Sequence, residues 1–318
     1  MSEVIKNRIV KIAYTKDMDR EKWLEYRRLG IGGSDAATVV GLNPWSSKLA
    51  LYADKVGLMP EKETTEAMRQ GSDLEDYGAQ RWMEATGKVC QRYNYLFSNE
   101  QYPWGLANID RKVIGESSLL EIKTTSVWNK TDFENGEIPP QYYTQCMHYL
   151  AISGFDRAYL AVLVLNKAFH TFVIERNEAE IEALMQAEKA FWEQHIVPRI
   201  PPDPDGSESS QAVLDLQERT EDTELMLDAD NLFEELERAK EMEKEYREHG
   251  EELKQSIIAR MGNKSRAQAQ KWTATYLTQE RSSIDKARLL KFYPQAYADA
   301  IQTSTYRTFR VKKNKGEK

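Results

Sequence analysis

Helical stretches alternate with strand-like hairpins through the first two hundred residues, and this order is the strongest constraint on the fold. Residues 105–114 and 118–124 alternate apolar and polar side chains, as two paired strands do. A second hairpin is predicted for Ala158–Leu165 and Ala168–Glu175. Helical stretches precede, separate and follow the hairpins, at about 64–86, 139–152 and 178–195. This order predicts an α/β (α+β) fold in which helices flank a mixed central sheet.

Gly-, Pro- and Ser-rich segments interrupt the helix and strand patterns and predict where helices and domains end. A Gly-rich segment at 30–37 ends an early helix, and the next helix is predicted to begin at Ser34, a preferred capping residue. A Pro- and Ser-rich linker at 198–210 separates two predicted domains, residues 1–200 and 201–318. The second is expected to hold a charged helical stretch and a basic C-terminal extension.

The charge of the chain is distributed unevenly. The 318 residues carry a formal net charge of −7, which does not suggest a nucleic-acid partner by itself. Residues 1–200 carry −4, residues 201–255 carry −13 and residues 256–318 carry +10. The basic end could contact DNA or a protein partner, or it could neutralise the acidic stretch before it.

Cysteine and hydrophobic content exclude several classes of protein. Only Cys90 and Cys146 are present, too few for a disulfide framework or a four-cysteine metal site. No apolar run approaches the roughly 20 residues of a membrane span, and the first 20 residues lack a signal-peptide core. A cytoplasmic protein without a membrane partner is therefore expected.

The first hairpin carries the clearest chemical signal. With a two-residue loop at Gly115-Glu116, Asp110 lies opposite Glu121, and Lys123 lies on the same strand face as Glu121. Opposed carboxylates destabilise a bare hairpin, whereas Mg²⁺ or Mn²⁺ would bind to both of them. The alternative is a solvent-exposed hairpin face on which Glu and Lys alternate for solubility.

Two helices supply further candidates. Glu75 falls within or beside the apolar stripe of the 64–86 helix, while Asp73 and Asp76 are expected to face elsewhere. Glu75 is a third metal-ligand candidate, or it lies at the edge of the stripe and binds an arginine. Gln145 and Tyr149 lie four residues apart and share a helix face, where they could serve a site or form ordinary hydrogen bonds at the core boundary.

These residues, in this order, resemble the PD-(D/E)XK nuclease superfamily. More closely, the chain resembles the YqaJ-like viral recombinase family, which is related to phage lambda-type exonucleases. The resemblance covers about 20–195 and rests on four segments: RRLGIGGSDAATVVGLNPWSSKLALYADKVG at 27–57, GSDLEDYGAQ at 71–80, LLEIKTTS at 119–126 and the Gln/Tyr helix. Weaker similarity extends through 271–277, 282–294 and 306–313. One departure is Ile109, which stands where the superfamily motif has proline.

The resemblance implies a restriction-endonuclease-like fold and a 5′→3′ exonuclease that acts on double-stranded DNA ends. It also implies a single-strand annealing protein as partner, a homotrimer, and a phage or prophage protein working in the bacterial host cytoplasm. Asp110, Glu121, Glu75 and the main-chain carbonyl of Ile122 would bind one or two Mg²⁺ ions, with Mn²⁺ as a substitute. Lys123 would position the attacking water, and Gln145 and Tyr149 would orient Lys123 or the DNA backbone.

The Gly-rich segment is a candidate site for the 5′ phosphate of the DNA end. Backbone N–H groups at the start of a helix attract anions, and Arg28 and Ser34 would complete the site. Two other functions use the same residues. One is a structure-selective endonuclease, and the other is a non-catalytic DNA-end-binding scaffold for recombination. The full set of Asp110, Glu121 and Lys123 favours an enzyme over a scaffold.

Overall fold

The computed structural model describes residues 8–60, 64–126, 133, 136–217, 228–304, 309 and 311. The chain divides into two compact units, residues 1–219 and 220–318. The first unit extends beyond residue 200, the predicted end of the first domain, and includes a helix at Glu208–Asp215. Within the described ranges, no helix combines the length and apolar character needed to span a membrane.

The first unit contains helices and strands in the mixed order that the sequence predicts. Its strands are β1 (Ile9–Tyr14), β2 (Ile31–Gly32), β3 (Cys90–Arg92), β4 (Tyr95–Asn99), β5 (Tyr102–Ala107), β6 (Arg111–Val113), β7 (Ser118–Thr125), β8 (Arg157–Val164) and β9 (Ala168–Glu175). Its helices are α1 (Arg20–Arg27), α2 (Gly33–Val39), α3 (Lys48–Lys55), α4 (Glu66–Asp73), α5 (Glu75–Thr86), α6 (Pro140–Ser153), α7 (Glu178–Phe191) and α8 (Glu208–Asp215). A short π-helical turn, Trp192–Ile196, follows α7.

A five-stranded mixed sheet with the order β3-β6-β7-β8-β9 forms the centre of this unit. The β6–β7 and β8–β9 pairs are antiparallel, whereas β7 and β8 are parallel and are joined through α6. Most of β7 and nearly all of β8 are buried, and burial on both faces explains the near-continuous apolar sequence of β8. The predicted mixed α/β fold with flanking helices is confirmed.

The predicted register of the first hairpin agrees with the structure. Arg111 pairs with Leu120 and Lys112 with Leu119, so continuing the ladder places Asp110 opposite Glu121. Gly115 has a φ of +81°, in the region that glycine adopts without steric cost and that a tight hairpin loop requires. The turn therefore sets which side chains meet on the strands.

A second, four-stranded sheet has the order β1-β4-β5-β2 and brings the Gly-rich segment beside the first hairpin. Within it, the short strand β2 runs parallel to β5 through Ile31 and Gly105. Helix α2 begins immediately after β2 and packs against α6. At Gly33, an added Cβ would lie 2.5 Å from the Tyr149 ring, so this close approach needs a residue without a side chain.

Two local predictions on the helices were wrong. The helix predicted over 64–86 is interrupted at Leu74, and α4 buries none of its residues. The Ser72 hydroxyl bonds back to the Met68 carbonyl, a contact that bends helices. Helix α2 begins at Gly33 rather than at Ser34, because the Asp35 carboxylate accepts the Gly32 N–H and caps the helix from its third position.

The second unit consists mainly of one long helix. Helix α9 (Asp230–Met261) is followed by the hairpin β10 (Arg266–Gln268) and β11 (Thr273–Thr275) and by helices α10 (Lys286–Phe292) and α11 (Pro294–Ala300). Met261 is the one residue of α9 that is buried. The strand predicted over 306–311 lies mostly outside the described residues.

Candidate active site

Strand β7 carries an acidic and a basic side chain on one face, as its alternation predicts. Lys123 Nζ lies 2.7 Å from Glu121 Oε1, and Gln145 on α6 donates to the same oxygen at 2.6 Å. Asp110 joins them from the hairpin partner, and its Oδ2 accepts the Ile122 N–H at 2.8 Å. The structure therefore brings Asp110, which directly precedes β6, and Gln145 of α6 to the Glu121–Lys123 pair on β7. The alternative of a solvent-exposed hairpin face is wrong, since Glu121 is only 3% exposed.

One oxygen of this group has no partner among the described residues. Glu121 Oε2 is buried and receives no hydrogen bond from them, while Oε1 accepts from both Lys123 and Gln145. Burial raises the pKa of Asp110 well above its usual value, and the neighbouring charges of Glu121 and Glu75 raise it further. Burial also raises the pKa of Glu121, against the lowering effect of Lys123. An unpaired carboxylate oxygen beside a second carboxylate is the donor set that a hard divalent cation takes.

Glu75, the third predicted metal ligand, binds Arg111 in this structure. Arg111 is 4% exposed at its side chain and forms ion pairs with Glu75 and, at 2.7 Å, with Asp76. Its guanidinium also donates to the main-chain carbonyl of Asp110 at 2.7 Å. Asp76 lies outside the apolar stripe, as expected, with its side chain 69% exposed. Among the described residues, no three His, Cys, Asp or Glu side chains form a ready metal cluster.

Lys123 is a half-buried cation that the carboxylates hold in its charged form. Burial lowers the pKa of its ammonium group, but Glu121 and Asp110 outweigh that effect and raise it above the usual value. The Nζ atom also lies 5.5 Å from the centre of the Tyr142 ring. Lys123 therefore presents a fixed positive charge at this site.

Gln145 and Tyr149 contact Glu121 and each other rather than Lys123. The Gln145 amide donates one N–H to Glu121 Oε1 and another to the Tyr149 hydroxyl, 3.2 Å away. Burial and the nearby Glu121 and Asp110 charges raise the pKa of Tyr149 well above its usual value, so it is a neutral phenol. In this arrangement Gln145 fixes the orientation of the Glu121 carboxylate.

A cavity of about 240 Å³ connects these residues with the Gly-rich segment. Its lining includes Asp110, Glu121, Lys123, Gln145, Tyr149, Ser34, Trp23 and Arg27. Arg27 Nη2 donates to Ser34 Oγ at 3.2 Å and to Asp35 Oδ1 at 3.0 Å. Glu75 is not part of this lining.

Arg28, the arginine predicted for the phosphate site, lies in an adjoining cavity of about 240 Å³, which Arg27 and Ser34 also line. Arg27 thus contacts both cavities and was missed in the sequence. The sequence carries one signal for it: Trp23 and Arg27 lie four residues apart, so they share a face of a helix. In the structure both residues line the first cavity.

Comparison with known proteins places the chain in a family. The model of the YqaJ-like viral recombinase domain matches residues 22–156. The uncharacterized protein YqaJ of Bacillus subtilis (strain 168) is 33% identical over 310 residues, which cover 95% of this chain and 97% of that protein. The chain therefore belongs to the YqaJ-like viral recombinase family, as its resemblance predicts.

Solved structures are similar over about half of the chain. An alkaline exonuclease (LHK-Exo) from Laribacter hongkongensis is 21% identical, covers 55% of this chain and 91% of its own, and has a TM-score of 0.47. The same enzyme in complex with dAMP has a TM-score of 0.48 at the same identity and coverage. A phage-related exonuclease from Haemophilus somnus 129PT is 13% identical, covers 54% of this chain and 97% of its own, and has a TM-score of 0.39.

Proposed function

We propose that this protein is a divalent-metal-dependent 5′→3′ exonuclease that resects linear double-stranded DNA for recombination by single-strand annealing. The observation that carries the proposal is the unpaired Oε2 of buried Glu121, in a cavity that Asp110 and Lys123 also line. Two carboxylates and an ammonium group in one cavity suit phosphodiester hydrolysis, because they combine metal binding with stabilisation of negative charge. Membership of a viral recombinase family supports this assignment.

Asp110 and Glu121 would hold Mg²⁺, or Mn²⁺ in its place, together with the Ile122 carbonyl and Glu75. A bound divalent ion would polarise the scissile phosphate and would lower the pKa of a water molecule bound to it. Lys123 offsets negative charge on the phosphate and orients the attacking water. Gln145 holds the Glu121 carboxylate in place, and Tyr149 in turn is hydrogen-bonded to Gln145.

The DNA end would be bound at the other side of the same cavity. Arg27 and Ser34 supply a guanidinium and a hydroxyl for the terminal 5′ phosphate, with Arg28 lining the adjoining cavity. Binding the end beside the carboxylates would select 5′-terminal phosphodiester bonds for hydrolysis. An annealing-protein partner, a homotrimeric assembly and action in the cytoplasm of a phage-carrying bacterium complete the proposal through the family resemblance.

The test is digestion of linear duplex DNA labelled at the 5′ or the 3′ end, with and without Mg²⁺. We expect 5′ label to be released first, and only when Mg²⁺ is present. Lys123→Ala and Asp110→Asn should each slow digestion by about 100-fold or more. Lys112→Ala is the matched control, because Lys112 lies on the neighbouring strand outside the cavity lining and should leave the rate unchanged.

Other results would select the other functions. Cutting of closed circular DNA would favour a structure-selective endonuclease. Binding of DNA ends without any metal-dependent cleavage would favour a recombination scaffold. Wild-type rates in both active-site variants would refute the assignment of Lys123 and Asp110.

Arg27 and Arg28 are distinguished by comparing 5′-phosphorylated with 5′-hydroxyl ends. The hydrogen bond from Arg27 to Ser34 leads us to expect that Arg27→Ala removes the preference for the phosphorylated end. A preference lost in Arg28→Ala and kept in Arg27→Ala would instead show that Arg28, the arginine predicted from the sequence, binds the 5′ phosphate.

A further inference from the structure

A pair of buried opposite charges, Asp35 and Lys55, lies behind the phosphate site, on helices that carry none of the candidate metal ligands. Lys55 at the end of α3 has a fully buried side chain, and the Asp35 side chain is 8% exposed. Their charged groups are 2.6 Å apart. Burying two charges is costly unless every polar atom is well paired, so the contacts of this pair show what it holds in place.

Among the described residues, the hydrogen bonds of the two side chains join them to each other, to Arg27 and to the start of α2. Asp35 Oδ1 accepts from Arg27 Nη2 at 3.0 Å, and Oδ2 accepts from Lys55 Nζ at 2.6 Å and from the Gly32 N–H at 2.9 Å. Lys55 Nζ also donates to the main-chain carbonyl of Arg27 at 2.8 Å. Arg27 is therefore held at its backbone by Lys55 and at its guanidinium by Asp35.

The hydrogen bonds leave most of the Arg27 guanidinium available. Nη2 serves Ser34 and Asp35, while Nε and Nη1 have no acceptor among the described residues. A guanidinium with free N–H donors suits a phosphate monoester, because it can bind two phosphate oxygens through parallel hydrogen bonds. An arginine fixed in advance loses less side-chain freedom on binding than a mobile one, so the same contacts give tighter binding.

We propose that Asp35 and Lys55 are positioning residues that fix Arg27 to bind the terminal phosphate monoester of the DNA strand. The proposal rests on the exonuclease function proposed above. Neither residue touches the reacting atoms. Their effect is on recognition of the 5′ end, and they act only through Arg27.

The test is the double variant Asp35→Asn/Lys55→Met, which removes both charges and so leaves neither unpaired. The readout is kcat/KM on 5′-phosphorylated ends divided by kcat/KM on 5′-hydroxyl ends. This ratio should fall about tenfold or more, through KM rather than kcat, which is the size expected for losing a charged hydrogen bond. In an Arg27→Ala background the same double change should cause no further fall.

The matched control is Arg176→Met/Glu178→Gln, which removes another ion pair, 2.6 Å long, whose arginine is 7% exposed. It should leave the ratio unchanged.

Circular dichroism establishes whether the double variant is folded. If it is unfolded, Asp35→Asn alone is compared with wild type, because asparagine keeps the size of aspartate and one acceptor oxygen.

The outcomes separate the two proposals. A folded charge-free variant with the wild-type ratio would overturn the positioning role, and so would a further fall in the ratio when the double change is made in the Arg27→Ala background. Absence of Mg²⁺-dependent digestion by the wild-type protein would instead refute the exonuclease function itself.

Discussion

Replacing Asp35 by asparagine tests the energetics of the buried charges directly. Burial alone would raise the pKa of this carboxyl, but Lys55 and Arg27 reverse the effect and lower it to about 2, from an ordinary value of 3.8. At about 1.4 kcal/mol for each pH unit, this difference corresponds to roughly 2.5 kcal/mol of folding stability. For a unit of this size, the loss should lower Tm by about 5–10 °C at pH 7.

The contribution of Asp35 depends on pH in a defined direction. Because its pKa is lower in the folded than in the unfolded chain, its stabilising effect is present above about pH 4 and is lost as the pH falls toward 2. The difference in unfolding free energy between wild type and Asp35→Asn should therefore shrink to about half near pH 3.

Denaturant unfolding at pH 7, 5 and 3, followed by circular dichroism, measures this difference. Asp203→Asn is the control, because Asp203 is an exposed carboxylate of the same unit whose side chain has no hydrogen bond or ion pair among the described residues. It should change stability by no more than about 0.5 kcal/mol. An equal loss for Asp35→Asn at pH 7 and pH 3 would show that its charge does not stabilise the fold.

Two further predictions follow from other parts of the first unit. Burial raises the pKa of Asp110 and of Glu121, so protons compete with a cation there, and calorimetry should show Mg²⁺ affinity falling as the pH is lowered. EDTA should stop DNA digestion, and pH-independent Mg²⁺ binding would contradict this account. Gly33→Ala should cost about 1–3 kcal/mol in denaturant unfolding, because its Cβ would lie 2.5 Å from Tyr149. Gly71→Ala in α4, where a Cβ meets nothing within 4 Å, should be neutral or stabilising by up to about 1 kcal/mol, and an equal loss at both glycines would refute the steric argument.

The hairpin at the active site could be predicted because its constraints are local. A two-residue loop fixes the register of an antiparallel pair, and the alternation of a strand fixes which side chains share a face. These two rules placed Asp110 opposite Glu121, and the observed pairing of Arg111 with Leu120 has the same register. The Lys123–Glu121 contact follows from alternation alone.

The partners of polar groups could not be predicted in the same way. Periodicity placed Glu75 beside an apolar stripe, but its partner Arg111 comes from a strand 36 residues later. Lys55 and Asp35 are 20 residues apart, and their contact depends on how α2 and α3 pack. The single helix predicted over 64–86 was also wrong, because the apolar periodicity continues across Leu74 although the helix does not. The Ser72 hydroxyl bonds to the Met68 carbonyl just before this break, and such side-chain contacts do not show in periodicity.

Asp35 shows why the start of α2 was misplaced and why Arg27 was missed. A statistical preference favours serine as a cap, so Ser34 is the natural choice when each residue is judged by itself. In the structure, Asp35 caps Gly32 with the same carboxylate that binds Lys55 and Arg27, and Ser34 is left free to accept from Arg27. One carboxylate thus fixes a helix start and an arginine together. A helix cap that depends on charge pairing in three dimensions, rather than on local propensity, cannot be predicted from single residues, and the same pairing holds Arg27 at the cavity that Asp110 and Glu121 line.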